Sequence, residues 1–196
     1  VLEAWFSGSE AGNALADVVF GAVNPSGKLP FTFPVRLEDN GAHALGEYPG
    51  SDKVKYNESI FVGYRWHDKE QLKPLFAFGH GLSYTAFAVG NVKADRTTLA
   101  PNGSIRISAD VTNTGDRAGA EVVQLYIGDE QSSLPRPVKE LKGLKRYTSR
   151  PARAEPSRSK STPGCSPVTT MRKGSGALNP VNSPLMSAPR RTTSAE

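Results

Sequence analysis

The sequence predicts an α/β fold followed by an all-β fold, with an irregular tail at the C-terminus. In the first part apolar residues recur at helical spacing, whereas between residues 105 and 127 apolar runs have the period of strands. The two patterns meet at residues 74–85, where aromatic rings are interleaved with Gly79 and Gly81, a composition suited to a tight bend. The chain therefore divides into a first part (residues 1–85), a second part (86–148) and a tail (149–196), with residues 74–85 as the joint.

The first part opens with a predicted strand, a short loop and a helix. Residues 1–6 are apolar and compatible with a strand. Ser9 is a favourable N-cap, and Glu10 places a negative charge where it suits the helix dipole. The helix is indicated by apolar residues at helical spacing, namely Ala14, Leu15, Val18 and Val19. Gly21 is expected to end it, as glycine commonly does at helix C-termini.

The rest of the first part is predicted to be less regular. Residues 24–27 form a turn by composition, and residues 28–34, bracketed by prolines, form an edge or irregular strand. Residues 35–57 are polar with scattered glycine and proline, which indicates a long surface loop. Residues 60–66 return to an apolar, aromatic, strand-like pattern.

The second part has the pattern of short strands. Residues 105–111 alternate between apolar and polar side chains, the apolar ones being Ile105, Ile107, Ala109 and Val111. Residues 113–116 are a strong turn signal, and residues 121–127 form the next strand. Residues 134–147 have the character of an edge region, blunted by prolines and lysines. Short strands at this spacing predict a β-sandwich of the immunoglobulin or fibronectin type.

The distribution of charge argues against a nucleic-acid partner. The net charge of the chain is +5, but residues 1–148 carry 16 Lys plus Arg against 17 Asp plus Glu. The basic excess lies in residues 149–196, which carry 8 against 2 and contain no aromatic residue to stack on bases. No run of about 18 apolar residues predicts a membrane span, and the single Cys165 cannot form an internal disulfide.

One acidic residue and two tryptophans are candidate ligand contacts. Glu10 follows a predicted strand at a helix start, where α/β folds place ligand groups, but helix-end electrostatics is the favoured interpretation. Trp5 and Trp66 could stack on sugar faces. Packing in the core or between domains is favoured for both, because each lies in an apolar run. Ser7-Gly8-Ser9 is too short to be a phosphate loop.

The histidines and carboxylates give no site on their own. His43, His67 and His80 lack metal-ligand spacing, and His80, between two glycines, is expected to hydrogen-bond at the joint. Glu58 and Asp68 could be mistaken for a carboxylate pair, but sequence does not give their separation. We therefore assign no catalytic, cofactor-binding or metal-binding residue and expect no cofactor.

Six runs of sequence together carry a resemblance to a known family. They are W-F-S-G-S-E-A-G-N-A-L-A-D-V-V-F-G (5–21), N-P-S-G-K-L-P-F-T-F-P (24–34), Y-N-E-S-I-F-V-G-Y-R (56–65), F-G-H-G-L-S-Y-T (78–85), V-T-N-T-G-D-R-A-G-A-E-V-V-Q-L-Y-I (111–127) and R-P-V-K-E-L-K-G (136–143). In this order, over residues 1–148, they resemble the C-terminal part of glycoside hydrolase family 3, the β-glucosidase and β-xylosidase family. The resemblance implies the end of an α/β sandwich domain followed by the start of a fibronectin-III-like domain.

The resemblance also implies a retaining mechanism, in which an Asp nucleophile and a Glu acid/base flank the scissile glycosidic bond. It places the nucleophile in an N-terminal barrel domain and the acid/base upstream of residue 1, so neither is assigned to this chain. The chain is therefore expected to be an inactive fragment of an enzyme that hydrolyses β-glucosides or related sugars without metal or organic cofactor. Sugar preference, compartment and oligomeric state stay open.

From about Ser149 the family pattern stops, and two interpretations of the tail are open. By composition it is a disordered basic segment. Alternatively, a one-base shift of reading frame near codons 148–150 would turn T-T-M-R (169–172) into Y-D-D-A and Ser175-Gly176 into Q-W. The shifted string resembles the closing strands of the same sandwich. Strands between residues 105 and 127 would then lack partners, predicting poor solubility or disorder after Tyr147.

Two other functions are weighed against the fragment of a glycosidase. A non-catalytic carbohydrate- or protein-binding sandwich would need a ligand face on the second part, yet only Tyr126 supplies an aromatic ring between residues 90 and 146. A nucleic-acid binder would depend on the basic tail alone, with binding that is sensitive to salt and lost on deletion of residues 149–196.

Overall fold

The computed structural model describes residues 1–98 and 104–150, and of the tail only the backbone of two strands. The helices are α1 (Ala11–Val19), α2 (Gly41–Ala44) and α3 (Tyr64–Lys69), with a 3₁₀ turn at Leu37–Asp39. The strands are β1 (Phe87–Ala94), β2 (Ser104–Asn113), β3 (Gly119–Gly128), β4 (Glu140–Ser149), β5 (Cys165–Arg172) and β6 (Asn179–Pro180). None of the helices in the described ranges is long and apolar enough to cross a membrane.

Residues 1–6 form no strand, so that prediction was wrong. A strand is stabilised by a neighbour that accepts its backbone hydrogen bonds, and no described residue pairs with this segment. Its backbone instead turns at Trp5, whose φ is 53°, and the Trp5 ring lies edge-on to Phe31 with centroids 5.4 Å apart. The helix that follows was predicted correctly, although Glu10 rather than Ser9 occupies the N-cap position.

The strand-like pattern at residues 60–66 was also misleading, because α3 begins inside it. Gly63 at the N-cap has φ 61°, a conformation that glycine adopts without the penalty of a Cβ, and the chain coils directly after it. Trp66 and His67 are the buried residues of α3. The predicted loop at 35–57 contains α2, whose N-cap Asn40 accepts a hydrogen bond from the Ala42 amide.

The irregular strand at residues 28–34 is reduced to one bridge. Phe33 pairs with Phe76, with the Phe33 amide donating to the Phe76 carbonyl at 2.8 Å. The first part is therefore a set of short helices joined by loops, and the predicted α/β character is not seen among its described residues. Trp66 is its one buried large apolar side chain, and the remaining core residues belong to the second part.

The strands form two three-stranded antiparallel sheets with orders β1-β2-β5 and β4-β3-β6. Inward-facing side chains come mainly from β2 and β3, with Ile105, Val111, Ala120 and Tyr126 buried. The predicted alternation in β2 holds at its ends but weakens in the middle. There the register of β2 shifts against both β1 and β5, which places several central side chains at intermediate exposure.

Strand β4 lies at a sheet edge, as the prolines and lysines of residues 134–147 predicted, although it begins at residue 140 rather than 134. Strand β1 was not predicted, because Gly90 and Asn91 are poor strand formers. The tail was expected to be irregular, and the strands between residues 105 and 127 were expected to lack partners. Both expectations were wrong for the described residues: β2 pairs with β1 and β5, and β3 pairs with β4 and, at Ile127 and Gly128, with β6. The predicted disorder of the other tail residues lies outside the described residues.

The turn at residues 113–116 is organised by Asn113, which is 2% exposed. Its Oδ1 accepts from the Thr85 hydroxyl at 2.7 Å and from the Gly115 amide at 3.1 Å, while its Nδ2 donates to the Arg117 carbonyl at 2.7 Å. Because every one of these bonds replaces a bond to water, the buried amide is not left unsatisfied. The turn between β2 and β3 is thereby attached to Thr85, the last residue of the joint.

Candidate functional site

The interface between the two parts is organised around Asn24. Its Nδ2 donates to the Ala118 carbonyl at 2.9 Å, and its Oδ1 accepts from the Ser83 hydroxyl at 2.8 Å and the Tyr84 amide at 2.9 Å. Residues 24–27 were predicted to be a turn, but the structure has no turn there; the segment is irregular. The Asn24 side chain contacts both the joint and the β2–β3 turn. The sequence does not indicate the contact with Ala118, because the two residues are 94 positions apart.

Two ion pairs cross the same interface with opposite polarity. Lys28 of the first part lies 2.8 Å from Glu121 of β3, and both side chains are less than one fifth exposed. Asp68 of α3 lies 3.2 Å from Lys139, which directly precedes β4. Pairs of this kind, partly shielded from water, favour a single relative orientation because exchanging the contacts would place like charges together.

Aromatic packing fills the space between α3 and the strands. The Tyr64 ring lies 5.1 Å from Phe78 of the joint and 5.8 Å from Tyr126 of β3, measured between centroids. The Tyr64 hydroxyl accepts from the Leu141 amide at 2.9 Å, and the Tyr126 hydroxyl donates to Gln124 Oε1 at 2.5 Å. Burial, followed by the nearby Tyr64 and Asp68, raises the pKa of Tyr126 to about 12.

A cavity of about 530 Å³ lies beside α3. Its lining includes Leu45, Glu58, Phe61, Trp66, Lys69 and, from the second part, Pro135. The Lys69 ammonium stands 4.9 Å from the Phe61 ring centroid and 5.1 Å from that of Trp66, and it pairs with Glu70 at 2.8 Å. Glu58 Oε2 and Trp66 Nε1 are buried without a hydrogen-bond partner among the described residues. The cavity therefore combines aromatic rings with both acidic and basic side chains.

Glu58 and Asp68, which were weighed as a carboxylate pair, make different contacts. Glu58 lines the cavity, whereas Asp68 faces Lys139 at the interface. Glu10 caps no amide with its side chain; instead its Oε2 accepts from Asn13 Nδ2 at 2.6 Å on the exposed surface. The packing interpretation is confirmed for Trp66, which is 6% exposed, while Trp5 keeps 52% of its surface accessible.

The three histidines make unrelated contacts. His43 packs on Tyr48 with ring centroids 4.6 Å apart, and buried His67 has Nδ1 at 3.1 Å from the Gly63 carbonyl. At the joint, the His80 carbonyl accepts from the Leu29 amide at 2.8 Å, and the ring stacks on Phe76. His80 thus hydrogen-bonds at the joint through its backbone. In the ranges that the structure describes, no cluster of three metal-ligating side chains is formed.

Two family domains match the chain. Residues 1–84 match the glycosyl hydrolase family 3 C-terminal domain, and residues 121–154 match the fibronectin type III-like domain. The boundary between the matches contains the change from short helices to paired strands. Together these domains define the C-terminal region of a glycoside hydrolase.

Curated relatives and solved structures agree with that class. The chain is 52% identical over 149 residues to β-glucosidase BoGH3A of Bacteroides ovatus, and 50% identical over 147 residues to thermostable β-glucosidase B of Acetivibrio thermocellus. Each match covers 74% of this chain but only 20% and 19% of the relative, so the chain spans about a fifth of their length. Residues 1–84 belong to the C-terminal domain of glycosyl hydrolase family 3, and the resemblance drawn from the sequence is confirmed.

Solved structures of β-glucosidases contain a similar fold. A family 3 β-glucosidase from Bifidobacterium adolescentis superposes with a TM-score of 0.69 at 38% identity, covering 76% of this chain and 22% of that one. β-Glucosidase 3B from Thermotoga neapolitana, solved in complex with glucose, superposes with a TM-score of 0.68 at 37% identity, covering 75% and 20%.

Replacing Asn24 by alanine is expected to lower the free energy of unfolding by about 1 to 2 kcal/mol, because the Ala118 carbonyl and the Tyr84 amide lose their partner. Urea denaturation measures the change. The matched control is Asn13→Ala, which removes an exposed amide bonded to Glu10 and should cost less than about 0.5 kcal/mol. Equal effects of the two substitutions would contradict the role given to Asn24.

The raised pKa of Tyr126 predicts a loss of stability at high pH. The unfolded chain releases this phenolic proton near pH 10, whereas the folded chain holds it until about pH 12. Stability is therefore complete below pH 10 and falls between pH 10 and 12, by at most about 1.4 kcal/mol per pH unit. Urea denaturation across this range should show a shallower decline for Tyr126→Phe than for the unmodified chain. Identical slopes would be evidence against the shift.

Proposed function

We propose that the chain is the C-terminal structural part of a retaining β-glucosidase and that the catalytic carboxylates lie outside it. The observation that carries the proposal is about 50% identity to β-glucosidases over three quarters of the chain, matched against a fifth of their length. In this proposal residues 1–85 are the end of an α/β sandwich domain. Residues 86–148 are the first part of a fibronectin-III-like domain.

The engagement of the acidic side chains supports this assignment. A retaining glycosidase needs two carboxyl groups about 5 to 5.5 Å apart, one on each side of the scissile bond. Glu121, Asp68 and Glu70 are instead each paired with a lysine. Glu58 lines the cavity beside α3 but is accompanied there by Glu70, whose partner Lys69 also covers the aromatic rings. These carboxylates make structural contacts, and we assign none of them to catalysis.

The substrate of the whole enzyme is proposed to be a β-glucoside. The relatives are named β-glucosidases, and the structure of the Thermotoga neapolitana enzyme holds glucose. The reaction would form and then hydrolyse a covalent glycosyl-enzyme, with both carboxylates supplied by the preceding domains. No metal or organic cofactor takes part in this scheme.

A covalent chimera provides the test. The purified chain is expected to show no turnover of an aryl β-glucoside. Joining it to the part of BoGH3A that precedes its match to this chain should restore turnover to within about tenfold of intact BoGH3A, because the interface residues are then provided in one polypeptide. A second chimera that ends before the match is the control and should be inactive. Turnover by the isolated chain, or a folded but inactive chimera, would refute the proposal.

We further propose that the tail after about residue 148 is read in a shifted frame. The support is the string that the shift opens, which resembles the closing strands of a fibronectin-III-like domain. Resequencing the DNA through codons 140–196 is expected to reveal one base more or fewer near codons 148–150. Restoring the frame should raise the yield of soluble protein, because the closing strands of the domain would then carry the apolar and aromatic residues that the shifted string provides. A confirmed sequence in which no such shift opens that string would exclude this explanation.

A further inference from the structure

The cavity beside α3 has the size and construction of a small-molecule site. Four segments of the chain line it, namely the end of α2, residues 57–61, α3 and, from the second part, Pro135. Its volume of about 530 Å³ lies within the range of ligand pockets, which is about 300 to 1,000 Å³. Trp66 in its lining is 6% exposed and Leu45 is 43% exposed, so the cavity reaches from the surface to a buried indole.

Two buried polar atoms in the cavity lining have no hydrogen-bond partner among the described residues. They are Oε2 of Glu58, which accepts hydrogen bonds, and Nε1 of Trp66, which donates one. A polar group that is buried without a partner costs free energy, so a ligand that satisfies both atoms is favoured. Hydroxyl groups donate as well as accept. A molecule with several hydroxyls therefore matches both atoms with one kind of group.

Glu58 and Trp66 are held in place by contacts with their neighbours. The Phe61 amide donates to the Glu58 carbonyl at 3.0 Å, which closes a turn. The Trp66 ring packs on Gly41 of α2, where a Cβ would lie only 3.0 Å from Cδ2 of the indole. Ser59, also in the lining, has φ 55°, a conformation that is uncommon for residues other than glycine and that recurs at ligand sites. Because the lining is preorganised, little ordering is needed on binding.

The charges of the lining favour a neutral ligand. It contains two carboxylates, Glu58 and Glu70, against one ammonium, Lys69. Lys69 is already paired with Glu70 at 2.8 Å, so an anion would meet the carboxylate of Glu58 without a free cation to compensate for it. A cation would suit Glu58 but would leave the indole N–H of Trp66 without an acceptor. A neutral molecule that carries hydroxyls meets both requirements.

We propose that this cavity binds a sugar, with hydroxyls donating to Glu58 Oε2 and accepting from Trp66 Nε1. The apolar C–H groups of a sugar ring would contact Leu45 and Phe61 in the same lining. The choice of glucose among neutral sugars rests on the proposed function, in which the substrate is a β-glucoside. The site itself is defined by the unpartnered donor and acceptor.

The first test is an NMR titration of the ¹⁵N-labelled full chain with D-glucose. The chain has two tryptophans and hence two indole N–H signals. The signal of Trp66, assigned by its loss in Trp66→Phe, is expected to shift saturably. The signal of Trp5 is the internal control and should stay in place, because Trp5 does not line the cavity. A Trp66 signal that does not respond to glucose would overturn the proposal.

The second test changes the acceptor. Glu58→Ala is expected to weaken glucose binding at least tenfold, because it removes a hydrogen bond to a charged group. Glu58→Gln keeps an oxygen acceptor and should weaken binding less than Glu58→Ala. The control is Glu130→Ala, which removes an exposed carboxylate after β3 and should change binding less than twofold. Circular dichroism checks the fold of each variant. Equal effects of Glu58→Ala and Glu130→Ala would refute the role of Glu58.

The charge argument is tested with D-glucuronate, which keeps the sugar ring and adds a carboxylate. We expect it to bind at least tenfold more weakly than glucose, because its charge meets that of Glu58. Glucuronate that binds as tightly as glucose would contradict the assignment of a neutral sugar.

This proposal and the proposed function fail in different ways, because glucose binding by the chain does not require turnover. An inactive chimera together with a shifting Trp66 signal would refute the proposed function and retain the site. An active chimera together with an unchanged Trp66 signal would refute the site and retain the function.

Discussion

The side chain of Asn24 holds the two parts of the chain in one arrangement, and the other interface contacts depend on it. One amide reaches a carbonyl in the β2–β3 turn and accepts from two donors at the joint. Each hydrogen bond contributes about 1 kcal/mol, but all three are made only in one relative orientation. Asn113 of the second part makes a similar set of hydrogen bonds and attaches the β2–β3 turn to Thr85.

Close glycine contacts and two ion pairs add to the hydrogen bonds of Asn24 and Asn113. Gly79 and Gly119 lie so near to neighbouring side chains that a Cβ at either position would meet Gln124 or Asn24. Glycine at the joint and at the start of β3 therefore permits close approach of the two parts. The reciprocal ion pairs Lys28–Glu121 and Asp68–Lys139 then select one orientation among the possible ones. Close backbone approach, amide hydrogen bonds and ion pairs therefore all favour the same relative orientation of the two parts.

The sequence allowed the second part to be predicted better than the first. Strands β2 and β3 were recognisable because their apolar side chains are buried within the same part, with alternating burial at the strand ends. Residues 1–6 and 60–66 had strand-like composition, but composition does not provide a pairing neighbour. The cavity beside α3 also escaped prediction, because Pro135 and Trp66 meet only after the two parts have docked. The resemblance to family 3 was readable from six ordered motifs, whereas the partner of Asn24 was not.

The reciprocal polarity of the two interface ion pairs has a consequence for how such a protein can evolve by recombination. Any crossover between residues 86 and 117 separates Asn24 from Ala118, Lys28 from Glu121 and Asp68 from Lys139 in a single event. A hybrid gene would inherit one half of each contact from each parent and would keep the interface only if both parents had the same polarity. The β-rich module is therefore less portable between lineages than its compact sheets suggest, and the two modules are inherited most safely as one block.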